Sequence, residues 1–253
     1  LGPAGLFAAL LLARQGYRPL VLERGPALEA RVAAVERFEA TGALDEHANI
    51  QFGEGGAGTF SDGKLTTRTG DALCAYVTAA LLRHGAPADI AWRQKPHIGT
   101  DLLRGVIRSI RREIEALGGT VRFDTALTGL TIRGGRLAGV ETTAGAIPCE
   151  RLILAVGHSA RDTFAMLSGL GLQHVDGGRC VYTFCMCPGG SVCAAASEAG
   201  GVVTNGMSLH ARGGPNANAA VVVSVDGRDF NEDPAAAIAF QRKREQAAFA
   251  AGG

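Results

Sequence analysis

Residues 1–25 constrain this chain more than any other stretch. Gly2-Pro3-Ala4-Gly5 opens an almost wholly apolar run from Leu6 to Ala13. Gly16 then permits a turn before Leu20-Val21-Leu22, which ends in Glu23. Glycines, helix, turn, short apolar strand and terminal acid together read as the second half of a βαβ dinucleotide-binding unit. In such a unit the glycines let the backbone approach a pyrophosphate, which the helix N-terminus then receives. The acid at the strand end, here Glu23, accepts hydrogen bonds from a ribose hydroxyl. The strand and first glycine that a G-x-G-x-x-G motif places before Gly2 are not in the sequence, so the unit is expected to be incomplete. Taken alone, the segment also reads as a glycine-started core helix beside a strand.

Charge is balanced, with 25 Lys and Arg against 24 Asp and Glu, which gives no footprint for a nucleic-acid or polyanion partner. The apolar run 6–13 is too short to span a bilayer, and with its glycine start it is not a signal peptide. Six cysteines without a framework fit a reducing, cytoplasmic setting better than a disulfide scaffold. The 36 glycines are about twice the usual share and cluster in short loops, which points to backbone-lined sites.

Along the chain, residues 27–41 and 71–84 read as helices. Residues 100–117 form the best-patterned helix, with Leu103, Val106, Ile107, Ile110, Ile114 and Leu117 on one face, Thr100 and Asp101 available as caps, and Gly118-Gly119 at the end. Residues 120–124 alternate as a strand. Residues 127–132 and 137–142 form a hairpin turned at Gly134-Gly135. The continuous apolar run 152–156 predicts a parallel strand buried on both faces, with Gly157 at its C-terminal end, where open α/β sheets place ligands. Short strand-like runs at 181–184, 192–195, 202–204 and 220–225 predict a mostly antiparallel second unit. A last helix follows from Pro234, capped by Asp233.

Residues 49–64 concentrate glycines with hydroxyl, acid and base groups, so no regular element runs through them. Successive glycines there expose N–H groups able to cradle phosphate or flavin oxygens, and Ser61, Asp62 and Lys64 add polar reach.

Several long motifs carry a family resemblance. They are Gly2-Pro-Ala-Gly-Leu-Phe-Ala-Ala-Leu, Val21-Leu-Glu-Arg-Gly25, and the run from Gln51 through Gly53-Glu-Gly-Gly-Ala-Gly-Thr-Phe-Ser-Asp-Gly-Lys64. Lys95-Pro-His-Ile-Gly, Gly157-His-Ser-Ala-Arg-Asp, Tyr182-Thr-Phe-Cys-Met-Cys and Val203-Thr-Asn-Gly-Met-Ser208 join them. Together they resemble the bacterial NAD(FAD)-utilising dehydrogenases, FAD-dependent enzymes on a glutathione-reductase-like fold.

The resemblance implies an α/β fold, with a Rossmann-like FAD-binding domain over 1–170 (a parallel sheet with a β-hairpin insertion). A smaller, mostly antiparallel β substrate domain over 171–233 and a C-terminal helix over 234–253 would follow. Gly2, Pro3, Ala4 and Gly5 would line the FAD pyrophosphate, and Glu23, with Arg24 beside it, would hold the adenosine ribose. Gly55, Gly56, Ala57, Gly58, Thr59 and Ser61 would pass the pyrophosphate and flavin ring. Thr125 to Leu127 would offer backbone groups to the adenine, and Gly157 would return to the cofactor. His158, Arg161, His97 and Lys64 are the candidate catalytic groups. For the first three, a local structural hydrogen bond or ion pair is the competing reading.

The implied activity is hydride transfer through FAD, with NAD(P)H as a possible donor, on an unassigned small-molecule substrate and in an unassigned oligomeric state. No metal is expected: Cys180, Cys185, Cys187 and Cys193 match neither zinc nor iron–sulfur spacings, and Cys185-Met-Cys187 could form only a strained disulfide. Two other readings are a non-catalytic FAD-fold fragment and an NAD-only Rossmann dehydrogenase, which would leave the hairpin and the 49–64 loop without a role. Relative to the family, residues 172–178 bridge directly where a longer stretch is usual, and the chain stops before a closing C-terminal segment. The sequence is therefore expected to be a partial one.

Overall fold

The computed structural model describes residues 1–67, 71–171, 186–219 and 234–252. Helix α1 (Pro3–Arg14) starts with Pro3 at a position whose N–H no helix requires. It buries Leu6, Ala9, Leu10 and Ala13. Helix α4 (Thr100–Ala116) answers it, because Leu103, Val106, Ile107, Ile110 and Ile114 recur every three or four residues and all go inside. These two helices, with Ala80 and Leu81 of α3 (Leu73–Arg83) and with Ile90 and Ile98, form the main core. A buried side chain of this size contributes about 1.5–3 kcal/mol, so this core is a main source of stability for α1, α3 and α4.

Strand β1 (Leu20–Leu22) pairs in parallel with β2 (Thr120–Arg122), with Val21 opposite Val121. Among the described residues these two strands are the whole parallel sheet, which corrects the expected wider Rossmann-like sheet. The run 152–156 is the second correction. It carries no strand, and Ile153 and Leu154 are exposed. Apolar continuity favours burial, but a strand also needs a neighbour for its N–H and C=O groups, and no described strand lies beside this run.

The hairpin forms as expected from β3 (Leu127–Arg133) and β4 (Arg136–Thr142), with Gly134 and Gly135 both at positive φ, as a two-residue turn demands. Strand β5 (Gly145–Pro148) adds a third antiparallel member that the sequence did not announce. Helices α2 (Leu28–Thr41) and α5 (Arg161–Gly169) complete this part.

Beyond residue 171, β6 (Met186–Pro188) and β9 (Ala217–Ala219) pair antiparallel, as do β7 (Ser191–Ala195) and β8 (Val203–Met207). Helix α6 runs Pro234–Gly252. The expected strands at 181–184 and 220–225, the bridge 172–178, the Asp233 cap, Cys180 and Cys185 lie outside the described residues. Cys193 and Ala195 of β7 share a second core with Val35, Ile50 and Phe60, so this part packs onto α2 and the glycine loop. No helix among the described residues is long and apolar enough to cross a membrane.

Candidate functional site

The two glycine segments meet. The Gly55 N–H donates to the Leu1 carbonyl at 2.9 Å, and a Cβ on Gly56 would lie 2.7 Å from Pro3 Cδ. The loop at 53–61 therefore lies directly on the start of α1, and Gly56, at φ +70, is the residue that permits it. A short 3-10 turn, Ala57–Phe60, carries the loop onward under α4. At α1 itself Gly2 occupies the cap position, no side chain caps the first turn, and the turn holds no acidic residue. A Cβ on Gly2 or Gly157 would meet nothing within 4 Å, and one on Gly5 would touch only Ala155 at 3.6 Å. Gly2, Pro3, Ala4, Gly5, Gly55, Gly56 and the Gly157 segment thus converge, with the Gly2 and Gly157 α-carbons facing open space.

The loop is shaped from inside by Arg31 of α2, which has no solvent exposure. Its guanidinium donates to the carbonyls of Asn49 (2.9 Å), Ile50 (3.1 Å), Glu54 (2.6 Å) and Gly56 (3.1 Å). Burial pushes this guanidinium down to about 9, with the Glu54 charge opposing that fall. The Glu54 carboxylate, also fully buried, accepts from Leu28 N–H at 2.7 Å and Arg111 Nε at 2.7 Å. A glycine-rich loop has few side chains to fix its course, and here buried charges fix it through its carbonyls.

At the end of β1, the Thr125 N–H donates to the Glu23 carbonyl and the Asp124 N–H to the Gly25 carbonyl, both near 3 Å. The approach to Leu127 therefore runs beside Glu23 and Gly25. Glu23 itself is turned inward, 5% exposed: Oε1 accepts from Gly25 N–H at 2.9 Å, and Oε2 meets the Leu1 nitrogen. Each carboxylate oxygen keeps a further acceptor direction. Next to it opens a cleft of about 490 Å³ lined by Arg24, Pro26, Arg37, His47, Asp124 and Ala126. Arg24 is tied to Asp162 at 2.7 Å.

The four candidate catalytic groups fall into two places. Lys64 and His97 come together, because residues 62–65 and 96–99 run antiparallel through backbone bonds such as Leu65 N–H to Pro96 O (2.9 Å). His97 is 2% exposed, its Nε2 lies 2.9 Å from the His210 carbonyl, and its ring stacks on His210. Burial lowers its pKa, the Arg212 charge adds to that, and the bond to His210 opposes it. Lys64 Nζ lies 2.9 Å from Asp62 Oδ2. Asp62, nearly fully buried, also accepts from Arg212 at 2.6 Å and from the Ser208 hydroxyl. Burial alone would raise the Asp62 pKa, and the bonds from Ser208, Lys64 and Arg212 overcome it, holding the carboxyl below the ordinary range.

Arg161 and His158 lie elsewhere. Arg161 pairs with Glu198 at 2.6 Å and, through both oxygens, with Glu245 of α6 at 2.9 Å. His158 is exposed and reaches only Ser159, at 3.3 Å, among the described residues. Thr100 and Asp101 do not cap α4: Gly99 holds that position, and Asp101 instead accepts the His210 N–H at 3.0 Å. No group of three or more His, Cys, Asp or Glu able to hold a metal exists among the described residues.

Arg31, Glu54, Arg111, Ser208, His210 and Arg212 were not singled out by residue type. The one available signal was local: Glu54, Asp62 and Ser208 each sit in a motif of the resemblance, but nothing in sequence joins Asp62 to Ser208 across 146 positions.

Residues 169–253 match the family model described as FAD-dependent protein, C-terminal domain-like. One family model thus spans both the expected β unit and the last helix. A Clostridium beijerinckii protein, described as "Uncharacterized protein", is 45% identical over 296 residues, covering 100% of this chain and 56% of that protein. The chain therefore spans about half the length of the curated relative it matches. The alignment is also longer than the chain's 253 residues, so that relative carries internal residues with no counterpart here. Among solved structures, NikD, an unusual amino acid oxidase essential for nikkomycin biosynthesis, superposes with a TM-score of 0.35 at 18% identity over 76% of this chain and 56% of that one. The glycine oxidase of Bacillus cereus gives 0.32 at 13% identity over 68% and 57%. Superpositions this loose do not establish a shared fold.

Proposed function

We propose that this chain is the nucleotide-binding part of an FAD-dependent oxidoreductase of the NAD(FAD)-utilising dehydrogenase family, with NAD(P)H as electron donor. The observation that carries the reading is the seating of Gly55–Gly56 on Gly2–Pro3. It leaves an uncapped helix start, with Gly2 facing open space, beside a loop rich in backbone N–H groups. That arrangement suits a pyrophosphate: the helix end supplies partial positive charge and N–H donors, and the missing Cβ atoms let the backbone approach. The match of residues 169–253 to an FAD-dependent family model supports the same cofactor.

In this reading Gly2, Pro3, Ala4 and Gly5 hold the pyrophosphate. Glu23 takes the ribose through its remaining acceptor directions, Arg24 lines the cleft assigned to the adenosine, and Leu127 follows Ala126 of that lining. Gly55, Gly56, Ala57, Gly58, Thr59 and Ser61 run toward the ring, and Gly157 closes the far side. FAD bound there supplies two-electron redox chemistry. Lys64 follows the loop directly and is our substrate-side candidate. His97 holds the strand on which Lys64 sits, while Arg161 and His158 stand apart from it. The chain divides near residue 170, with β6 to α6 forming the substrate-side unit.

The test is colour and titration. Purified protein is expected to be yellow, to release FAD on denaturation and to lose its flavin absorbance when NADH or NADPH is added without oxygen. Colourless protein that takes up no added FAD ends the reading. Flavin that binds but ignores both nucleotides ends its donor half.

A further inference from the structure

We propose that Arg24 and Asp162 form a clasp across the nucleotide-binding corner that slows release of the bound dinucleotide. The inference rests on the FAD reading and adds Asp162 to that site as a positioning residue. Arg24 Nη2 donates to Asp162 Oδ2 at 2.7 Å, across 138 positions of sequence. The two partners stand on different borders of the corner. Arg24 follows the buried Glu23 at the end of β1 and lines the cleft of about 490 Å³. Asp162 lies five residues beyond Gly157, in the first turn of α5. The segment leading to it meets the start of α1, where a Cβ on Gly5 would lie 3.6 Å from Ala155 Cβ. The pair therefore joins the border that carries Glu23 to the border that carries Gly157.

Side chains make this connection where the backbone does not. Among the described residues no backbone hydrogen bond joins residues 150–158 to another segment, and Ile153 and Leu154 are exposed. One half of the pair is fixed and the other is movable. Asp162 Oδ1 accepts the Thr163 N–H at 2.8 Å, which holds the carboxylate at the head of α5. Arg24 reaches it on a long side chain from the irregular stretch after β1. Solvent meets both partners, with 23% of the Arg24 side chain and 63% of the Asp162 side chain exposed, so the pair opens and recloses without unfolding. An exposed ion pair shifts an equilibrium by only about two- to fivefold. That weakness suits a contact that must part each time a ligand enters or leaves. A buried pair of the Arg161–Glu245 kind would instead be a permanent wall.

The experiment loads the whole protein with FAD and follows release on dilution, and uptake on FAD addition, by flavin fluorescence. Asp162→Asn keeps a carbonyl oxygen for the Thr163 N–H and removes only the charge. It is expected to speed release about two- to fivefold at low ionic strength, with the uptake rate and the urea midpoint unchanged. Arg24→Gln should speed release at least as much, and adding Asp162→Asn to it should change nothing further, because the partner is already gone. Release from the native protein should approach the Asp162→Asn rate at about 1 M salt, where the screening length is about 3 Å. Native protein that takes up no FAD ends the FAD reading and the clasp with it. With FAD bound, three results overturn the clasp alone: native release from Asp162→Asn, additive effects in the double variant, or faster release that comes only with a lower urea midpoint.

Discussion

Arg31 Nη1 donates to the Glu54 carbonyl at 2.6 Å from a side chain with no solvent exposure. The same guanidinium serves three more carbonyls of the glycine loop, so the loop and α2 form one unit. Removing one partner from a buried charged network leaves the others uncompensated, at a cost of about 3–5 kcal/mol. Arg31→Met is therefore expected to lose that much unfolding free energy in urea. Arg31→Lys is expected to regain only part of it, because an ammonium cannot reproduce the planar fork that reaches four acceptors.

Arg161 and Glu245 make a two-oxygen contact with both side chains nearly buried, and this contact joins α5 to α6. A double-mutant cycle with Arg161→Met and Glu245→Gln should give a coupling of roughly 1–3 kcal/mol in denaturation, as expected for partners in direct contact. FAD affinity should stay within about twofold in Arg161→Met. A large loss of FAD affinity without loss of stability would return Arg161 to the cofactor site.

Stability is expected to fall with acid below neutrality. Burial lowers the pKa of His97 in the folded chain, while the unfolded chain keeps about 6.5. The unfolded state then binds the extra proton first, so the stability present above about 6.5 drains away as pH falls toward the lower folded value. Burial gives His84 the same sign. Denaturation midpoints between pH 8 and 5 should decline, and His97→Phe should flatten the decline without abolishing it. An unchanged slope would mean that His97 titrates alike in both states.

Local grammar made much of this fold legible. The three- and four-residue spacing of α4 and the paired glycines of the β3–β4 hairpin are complete statements within a few residues, and both structures follow. Where a reading needed a distant partner it failed. The run 152–156 had the residues of a strand but no adjacent ladder, and Asp101 had the side chain of a cap but a better donor in His210 N–H. The glycine segments could be found because composition alone marks backbone that must come close to something. Arg31 could not: an arginine in an Ala-, Glu- and Arg-rich helix reads as solvated, and only the fold reveals that the loop carbonyls needed a donor there.

Gly56 and Gly2 separate stability from binding within one contact. At Gly56 the backbone is at φ +70 and ψ −166, a region essentially restricted to glycine, and a Cβ would strike Pro3, so Gly56→Ala combines a backbone penalty of about 1–3 kcal/mol with a clash against a rigid ring. It should lower the urea midpoint, and FAD uptake with it. Gly2 is extended, at φ −71 and ψ −177, and a Cβ there meets no atom within 4 Å. Gly2→Ala should therefore leave stability within about 0.5 kcal/mol. Its methyl group stands on the face that the proposed pyrophosphate approaches, so FAD affinity should drop by about tenfold or more, read by flavin fluorescence titration. Native FAD affinity in a stable Gly2→Ala protein would move the pyrophosphate away from the start of α1.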